Sequence, residues 1–338
     1  MTAIGHSEMR ETAEPTLAPG HVIIRTEAAG VCGTDLHVLN DGVYVDPAVH
    51  LPVTMGHEAV GVVDEIAADV VGIAVGDRVV VEPVLNCGLC TNCLTGQVNL
   101  CSSWTHLGFT AHGVWAERFA APASRVTKIS PTVPAEIAVL AEPLACSLHF
   151  LTLGKLSIGQ SIVIVGGGPS GQLAVVAARA FGAGTVILSD PIPERRALAH
   201  RLGADAVLDP STEDVLERCQ SLTGGRGVDV VLEIAGSESS IASAFLLARP
   251  GGTVVLAGVC GQEELRVNTQ YVVRHEITVQ GAFATRWQMA NAVHLLERTD
   301  LDFAPIIGLR VDWQDAHRGL SETGARRDIC KVVLTFNN

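Results

Sequence analysis

Four cysteines within fifteen consecutive residues form the densest group of metal-ligand side chains in the chain. The segment reads Cys-Gly-Leu-Cys-Thr-Asn-Cys, and a fourth cysteine follows after seven further residues. Four thiolates so close in sequence can surround one Zn²⁺ ion as a tetrahedron. Because four protein ligands leave no coordination position for a substrate, we predict a structural zinc site. Its ligands are Cys87, Cys90, Cys93 and Cys101.

A second set of candidate metal ligands is scattered on both sides of this cluster. Sulfur, nitrogen and oxygen ligands are spread over about 110 residues, as in sites where a folded domain brings distant loops round a metal that keeps one position open. We therefore expect any catalytic centre at this second site. The candidate ligands are Cys32, His57, Glu58 and Glu142.

Length, charge and cysteine usage limit the class of protein. A chain of 338 residues has room for about two domains, and its apolar runs are short and interrupted, which predicts no transmembrane helix. The N-terminus has neither a basic start nor an apolar stretch, so we expect no secretory signal. A formal charge of −13 argues against nucleic-acid or anionic-membrane partners. Nine cysteines are interpreted as metal ligands and buried thiols, with the cytoplasm as the expected location.

The first part of the chain is predicted to be rich in strands and loops. Short apolar runs bounded by turn residues cover 21–25, 59–63, 77–81 and 125–129. The pattern changes near Pro143, where strands begin to alternate with helices, which is typical of βαβ units on a parallel sheet. We predict strands at 161–165, 185–189, 206–208, 229–233, 253–257 and 277–280, and helices at 170–181, 194–202, 212–222 and 239–248.

These elements predict an α/β protein with a doubly wound parallel sheet at 143–285. After Gly281 we expect one more helix at 287–298 and a final strand at 330–335, which return to the first domain. The predicted domains are thus a catalytic, zinc-binding domain at 1–142 and 286–338, and a dinucleotide-binding domain at 143–285.

A glycine-rich turn marks the expected dinucleotide site. The strand 161–165 runs into Gly166-Gly167-Gly168-Pro169-Ser170-Gly171, which opens a helix, and the next strand ends at Asp190. The helix N-terminus offers N–H groups to the pyrophosphate, and Asp190 would accept hydrogen bonds from the adenosine ribose. A carboxylate there repels a 2′-phosphate, so NAD is favoured over NADP. Arg195 and Arg196 argue in the other direction, for NADP, since either could stack on adenine or accept a phosphate.

Taken together, these motifs resemble the zinc-dependent medium-chain dehydrogenases over nearly the whole chain. The shared segments are Cys32-Gly-Thr-Asp-Leu-His37, Gly56-His57-Glu58, Ala141-Glu142-Pro143, the cysteine cluster and the glycine-rich turn. The resemblance is greatest to the polyol branch, which includes sorbitol and butanediol dehydrogenases. It implies a GroES-like catalytic domain beside the Rossmann domain, with Cys32 and His57 as catalytic zinc ligands and Glu58 and Glu142 as the acids that complete the shell.

The resemblance also implies roles for residues near the metal. Thr34 matches the hydroxyl that hydrogen-bonds the substrate oxygen, and His37 matches the imidazole that relays the proton. Asp35 would orient His57. Arg286 is a candidate contact for an anionic or hydroxylated substrate. Relatives form dimers or tetramers, so we expect a homo-oligomer, and they usually open with an apolar strand before the position of Met1, so we expect a shortened first strand or an upstream start.

The sequence is compatible with several functions. The leading interpretation is hydride transfer between a secondary alcohol of a small polyol and NAD. The same mechanism would serve an L-threonine 3-dehydrogenase or a glucose dehydrogenase. A zinc-ribbon module for nucleic acid is suggested by the cysteine cluster alone, and the acidic charge opposes it. A cofactor-binding protein without turnover is opposed by the intact set Cys32, His57, Glu58 and Glu142.

Overall fold

The chain folds into two compact units. The computed structural model describes residues 1–259, 264 and 266–336. Unit 1 comprises Met1–Ala145 and Thr285–Asn338, and unit 2 comprises Cys146–Ala284. The domain boundaries expected from the sequence, after residues 142 and 285, lie close to these.

Strands make up the centre of each unit. In chain order they are β1 (His21–Val31), β2 (Ala59–Ile66), β3 (Arg78–Val81), β4 (Val84–Leu85), β5 (Thr105–His106), β6 (Arg118–Pro122), β7 (Val126–Lys128), β8 (Ser161–Val165), β9 (Thr185–Ser189), β10 (Ala206–Leu208), β11 (Val228–Glu233), β12 (Ala248–Leu256), β13 (Thr278–Gly281), β14 (Ile307–Asp312) and β15 (Lys331–Thr335).

Helices connect and cover these strands. They are α1 (Gly33–Asp41), α2 (Pro47–His50), α3 (Thr91–Leu94), α4 (Ala135–Ala138), α5 (Ala141–Leu153), α6 (Pro169–Ala180), α7 (Pro193–Arg201), α8 (Val215–Leu222), α9 (Glu238–Leu247), α10 (Thr269–Arg274), α11 (Met289–Leu296) and α12 (Ala316–Ala325).

Unit 1 is built on a mixed sheet that brings the two ends of the chain together. Its strand order is β14-β15-β1-β2-β3-β7, and β6 also pairs with β1. The central strand β1 runs antiparallel to β2, β6 and β15, while β14 and β15 are parallel. Apolar side chains such as Ile24, Val63 and Leu334 fill the core of this unit. This sheet places the loops after β1 and before β2 side by side.

Unit 2 is a parallel sheet with the order β10-β9-β8-β11-β12-β13. All of its neighbouring strands pair in parallel, and β8 and β11 are the adjacent strands from which the sheet extends in opposite directions. Ligands of such sheets bind outside the carboxyl ends of the strands at this point of reversal. The predicted fold class, a β-rich GroES-like domain with a Rossmann-like parallel sheet, is confirmed.

Most elements differ from their predicted bounds only at the ends. The first strand is longer than 21–25, because its small residues from Ala28 to Gly30 continue the pairing with β2 and β15. The helix expected at 212–222 begins at Val215, since the carboxylate of Asp214 accepts the N–H of Glu217 at 3.0 Å and caps it there. The helix expected at 287–298 spans Met289–Leu296, and Trp287 before it has a left-handed backbone, with φ 56°.

One helical stretch is longer and more apolar than the sequence analysis anticipated. Residues Ala135–Leu153 have the length and mean hydropathy of a membrane-spanning helix. However, 72% of the stretch is buried inside this structure, as is usual for a core helix.

Candidate functional site

Three of the predicted catalytic ligands converge in unit 1. Cys32 follows β1 and precedes α1, while His57 and Glu58 immediately precede β2. Among the described residues, the Cys32, His57 and Glu58 side chains form a group whose ligand atoms all lie within 4.8 Å of one another. His57 and Glu58 are buried, and Cys32 is half-buried. The antiparallel pairing of β1 with β2 brings these sequence-distant residues together.

The carboxylate of Asp35 fixes two of these ligands. Its Oδ1 lies 3.2 Å from Nδ1 of His57, and its Oδ2 accepts the backbone N–H of Cys32 at 2.8 Å. A hydrogen bond at Nδ1 leaves Nε2 of His57 as the atom that can bind a metal. Burial by itself would lower the pKa of His57, but the Asp35 carboxylate and the Cys32 side chain raise that pKa well above its ordinary value. The predicted role of Asp35 as the residue that orients His57 agrees with this geometry.

The sequence analysis missed Lys331, which contacts the candidate ligand Glu58. Lys331 lies on β15, its side chain is 1% exposed, and its Nζ pairs with Oε2 of Glu58. Gly30 makes room for this pair, because a Cβ atom there would lie 1.8 Å from Oε2 of Glu58. Burial lowers the pKa of Lys331, and the charges of Glu58 and Cys32 outweigh that effect and raise it. A single lysine in an otherwise apolar strand was the available signal, since buried lysines almost always have an acidic partner.

The charge balance of this group fits a divalent metal ion. Cys32 as thiolate, with the carboxylates of Asp35 and Glu58, would carry three negative charges, and Lys331 compensates one of them. With the neutral imidazole that binding through Nε2 of His57 requires, the two that remain are what Zn²⁺ would balance. In addition, Oε1 of Glu58 is buried and has no hydrogen-bond partner among the described residues, as expected of an atom reserved for another ligand. The donor set of sulfur, imidazole nitrogen and carboxylate oxygen is suited to zinc.

Glu142, the fourth predicted ligand, lies in the first turn of α5. It is buried, with 7% of the residue exposed. The group of described side chains that converges within 4.8 Å does not include it. Its place in the metal shell stays a prediction.

Thr34 and His37 both lie on α1, which starts directly after Cys32. The hydroxyl oxygen of Thr34 is 3.6 Å from the sulfur of Cys32. His37 is exposed, and its Nδ1 is 3.2 Å from Oδ2 of Asp41, one helical turn later. A hydroxyl beside the ligands and an imidazole at the surface are the arrangement that the predicted proton relay needs, although the relay itself stays a prediction.

Aromatic rings cover one side of His57. His106 and Phe109 stack on each other at 4.3 Å, and their ring centroids lie 5.4 and 5.0 Å from that of His57. Nδ1 of His106 is 2.7 Å from the carbonyl oxygen of Leu107, so this nitrogen carries a proton. Burial and the neighbouring His57 lower the pKa of His106 to about 3, which keeps its ring neutral. These two residues, which the sequence left without a role, form an uncharged wall beside the candidate metal site.

The four-cysteine cluster is compact. Its sulfur–sulfur distances are 3.5 Å for Cys87–Cys101 and Cys90–Cys93, and 3.9 Å for Cys87–Cys93 and Cys90–Cys101. Four sulfurs at about 2.3 Å from a central zinc would be separated by about 3.8 Å. Backbone N–H groups of Ser102 and Cys93 lower the pKa of Cys90 to about 5, whereas burial raises the pKa of Cys101 to about 11. The sulfur positions fit a closed tetrahedral zinc site.

In unit 2, the glycine-rich turn connects β8 to α6 as predicted from the pattern. Gly166 has φ 114°, and a Cβ atom on Gly171 would lie 1.9 Å from the carbonyl oxygen of Gly166, so both positions require glycine. Gly168 is the N-cap residue of α6, and the space round its missing Cβ is open within 4 Å. Pro169 and Ser170 begin the helix. Gln172, which the sequence analysis overlooked, donates to the carbonyls of Gly167 and Arg195 and so links the turn to α7.

Asp190 is buried and forms more hydrogen bonds within the protein than the sequence suggested. It is 3% exposed, and its two carboxylate oxygens accept the N–H groups of Gly167 at 2.7 Å and Ile192 at 2.8 Å. Arg195 lies 3.6 Å from the same carboxylate, and Arg196 donates to the carbonyl oxygen of Asp190. Asp190 therefore joins the glycine-rich turn to the end of β9, and any contact with ribose adds to that role.

A separate cavity of unit 1 lies away from the candidate metal ligands. It has a volume of about 1010 Å³, and its lining includes Ser7, Pro15, Trp115 and Trp313 but none of the three converging metal ligands. We assign it no part in the chemistry.

Comparison with known proteins gives consistent matches. Residues 18–131 match the alcohol dehydrogenase GroES-like domain and residues 169–298 the zinc-binding dehydrogenase family. The chain is 36% identical to L-threonine 3-dehydrogenase of Pyrococcus abyssi (strain GE5 / Orsay), over 89% of this chain and 87% of that protein. It is 35% identical to sorbitol dehydrogenase of Bacillus subtilis (strain 168), over 96% and 92%. A zinc-binding dehydrogenase from Sinorhizobium meliloti 1021 bound to NADP superposes with a TM-score of 0.92 at 34% identity, over 99% and 97%.

The Glu58–Lys331 pair generates a stability prediction. Lys331→Met should lower the free energy of unfolding of the metal-free protein by about 3–5 kcal/mol, because it leaves a buried carboxylate without its partner. Urea unfolding measures the loss. Adding Glu58→Gln should restore part of it.

A surface lysine provides the matched control. Nζ of Lys128 lies 2.7 Å from Asp77, but its side chain is 52% exposed. Lys128→Met should therefore cost about 1 kcal/mol or less. If Lys331→Met and Lys128→Met lowered the free energy of unfolding equally, Lys331→Met would not leave a buried, uncompensated charge at Glu58.

Proposed function

Because this chain belongs to the zinc-dependent medium-chain dehydrogenase family, we propose that it oxidises a secondary alcohol of a small polyol or sugar alcohol and transfers the hydride to NAD. The observation that carries the proposal is the convergence of Cys32, His57 and Glu58 in unit 1. The enzyme class, an oxidoreductase acting on CH–OH donors, follows from the family. Two observations favour a polyol as the substrate. Glu142 is acidic where alcohol dehydrogenases proper have a cysteine, and the chain is similar to sorbitol dehydrogenase.

Different residues of unit 1 would have different roles in the reaction. Cys32, His57, Glu58 and Glu142 would hold zinc, which when bound supplies the Lewis acidity that favours loss of the alcohol proton. Asp35 holds His57 in the orientation that presents Nε2, and Lys331 neutralises part of the charge on Glu58. Thr34, whose hydroxyl oxygen lies 3.6 Å from the sulfur of Cys32, would accept the substrate hydroxyl's hydrogen bond. His37, with Asp41 beside it, would pass the proton to solvent.

A second candidate substrate is L-threonine, oxidised at its secondary alcohol by the same machinery. The 36% identity to a threonine dehydrogenase supports it. Glucose remains a third possibility within the same mechanism. Arg286, half-buried before α11, would be the contact for a substrate carboxylate or hydroxyl.

For the cofactor we propose NAD rather than NADP. A 2′-phosphate would have to approach the buried carboxylate of Asp190, and like charges repel. The glycine-rich turn from Gly166 to Gly171 would take the pyrophosphate at the N-terminus of α6. Arg195 is the residue that favours NADP, since its guanidinium lies 3.6 Å from Asp190 at the same edge. The similarity to a structure bound to NADP also favours NADP, so the preference between the two cofactors has to be measured.

A substrate and cofactor panel tests the proposal. We expect kcat/KM for sorbitol, xylitol or butanediol to exceed that for threonine and glucose by at least about tenfold, and NAD to exceed NADP by a similar factor, since tenfold corresponds to about 1.4 kcal/mol of differential binding. Initial rates of NADH formation provide the measurement. Higher kcat/KM with threonine would select the alternative, and no turnover of any secondary alcohol would refute the proposal.

We further propose two zinc ions per chain, one in each cysteine-containing site. Elemental analysis should give close to two zinc atoms in the native protein and close to one in each of two variants. Cys32→Ser should lose most activity, by at least about a hundredfold, with little change in melting temperature, since an open metal site serves catalysis. Cys90→Ser should mainly lower the melting temperature, because closed sites contribute folding energy. If Cys90→Ser abolished activity without loss of stability, the two assignments would be reversed.

The expected homo-oligomer has a candidate surface in unit 2. Strand β13 is one of the two terminal strands of the parallel sheet, and Val279 on it is 44% exposed. An exposed edge strand offers unpaired N–H and C=O groups to a second copy. Light scattering should give two or four times the chain mass of 35.4 kDa, and Val279→Lys should lower it. A native mass equal to one chain would contradict the proposal.

A further inference from the structure

A fully buried carboxyl group lies at the carboxyl edge of the parallel sheet in unit 2. Glu233 is the last residue of β11 and has no exposed surface. Its Oε1 accepts hydrogen bonds from the N–H groups of Ala235 at 3.0 Å and Gly236 at 2.9 Å, and from the hydroxyl of Ser240 at 2.8 Å. Its Oε2 has no hydrogen-bond partner among the described residues. A buried glutamate with this environment requires an explanation.

Glu233 holds a turn that packs directly on the glycine-rich turn. The N–H of Ile234 donates to the carbonyl of Val165 at 3.0 Å, which continues the pairing of β11 with β8. A Cβ atom on Gly166 would lie 2.9 Å from the nitrogen of Ala235. The Cα and Cβ atoms of Ala235 would both lie 3.1 Å from the same added Cβ atom, so a shift of the turn after Glu233 would displace Gly166.

The third neighbouring strand approaches the same turn just as closely. A Cβ atom on Gly258, which follows β12, would lie 2.3 Å from the nitrogen of Gly236 and 2.9 Å from Oε2 of Glu233. Gly236 has φ 67°, and a Cβ atom there would lie 2.5 Å from the carbonyl oxygen of Val259. Backbone from three strand ends thus forms a tightly packed surface, with the Glu233 carboxyl beneath it.

Helix capping does not account for Glu233. The N-terminus of α9 is capped by Ser237, whose hydroxyl oxygen accepts the N–H of Ser240 at 3.1 Å. The two backbone bonds of Glu233 go instead to Ala235 and Gly236, which precede the helix. They fix the part of the turn that lies against Gly166, at the reversal of strand order where dinucleotides bind to sheets of this kind.

We propose that Glu233 is a positioning residue for the nicotinamide cofactor, which through the turn 234–237 holds the glycine-rich turn in the shape that binds the dinucleotide. This inference rests on the proposed dinucleotide site at Gly166 to Gly171. Glu233 acts through backbone geometry rather than by touching the cofactor. Burial raises the pKa of Glu233, against the opposing effect of its three hydrogen bonds. Those bonds need only an acceptor oxygen at this position, which glutamine also supplies. A neutral side chain with the same acceptor should therefore serve as well.

The test measures cofactor affinity separately from stability. NADH is titrated by fluorescence into the full-length protein, at a temperature well below the melting temperature of each variant. Glu233→Ala should raise the Kd for NADH at least about tenfold, whereas Glu233→Gln, which keeps the acceptor oxygen, should stay within about threefold of the native protein. In steady-state kinetics the alanine variant should raise KM for NAD more than it lowers kcat. Glu238→Ala, which removes an exposed carboxylate at the first residue of α9, is the matched control and should change neither value.

The outcomes separate a positioning role from a structural one. If Glu233→Ala lowered the melting temperature but left the Kd within twofold, Glu233 would be structural only, and the inference would be overturned. Should that variant fail to fold, Ser240→Ala removes one of the three hydrogen bonds and should still raise the Kd by about two- to threefold; an unchanged Kd would overturn the inference. Native protein that bound neither NADH nor NADPH would instead refute the dinucleotide site on which the inference rests.

Discussion

The concentration of negative charge at one buried point of unit 1 is the constraint on which the account depends. Asp35 and Glu58 are fully buried there beside the sulfur of Cys32, and the buried ammonium of Lys331 is the positive charge that contacts Glu58. Isolated buried charges are costly, so such a group needs further cations. Three features of the fold produce this arrangement. Strand pairing brings the side chains together, Gly30 has no side chain to obstruct them, and β15 comes from the far end of the chain to pair with β1. A divalent metal ion would complete this arrangement.

The two cysteine-containing sites stabilise closely spaced negative charges in different ways. In the cluster of Cys87, Cys90, Cys93 and Cys101, ligands from a short segment surround the centre, and backbone N–H groups point at the sulfurs. Nothing is left to react. In the site of Cys32, His57 and Glu58, ligands come from different loops, each is oriented by another residue, and an aromatic wall with a neutral His106 closes one side. Mixed ligands and supporting partners suit a metal that must accept and release a substrate.

Sequence predicted those features whose ligands or patterns are local. The cysteine cluster is recognisable because its four ligands occupy fifteen residues, and the parallel sheet because strands and helices alternate. The grouping of Cys32 with His57 depended on resemblance, since spacing alone cannot identify the strands that pair. Lys331 was missed because 273 positions separate it from Glu58, and only the pairing of β15 with β1 brings them together. The binding of the Asp190 carboxylate to Gly167 was hidden for the same reason, because it is a contact across strand ends.

Anomalous diffraction at the zinc absorption edge, from crystals of the full-length protein, would locate the metal ions. We expect two peaks per chain, one inside the four-cysteine cluster and one at about 2.3 Å from the sulfur of Cys32 and about 2.0–2.1 Å from Nε2 of His57. A single peak in the cysteine cluster, with Cys32, His57 and Glu58 converging on no metal in zinc-saturated crystals, would contradict this expectation.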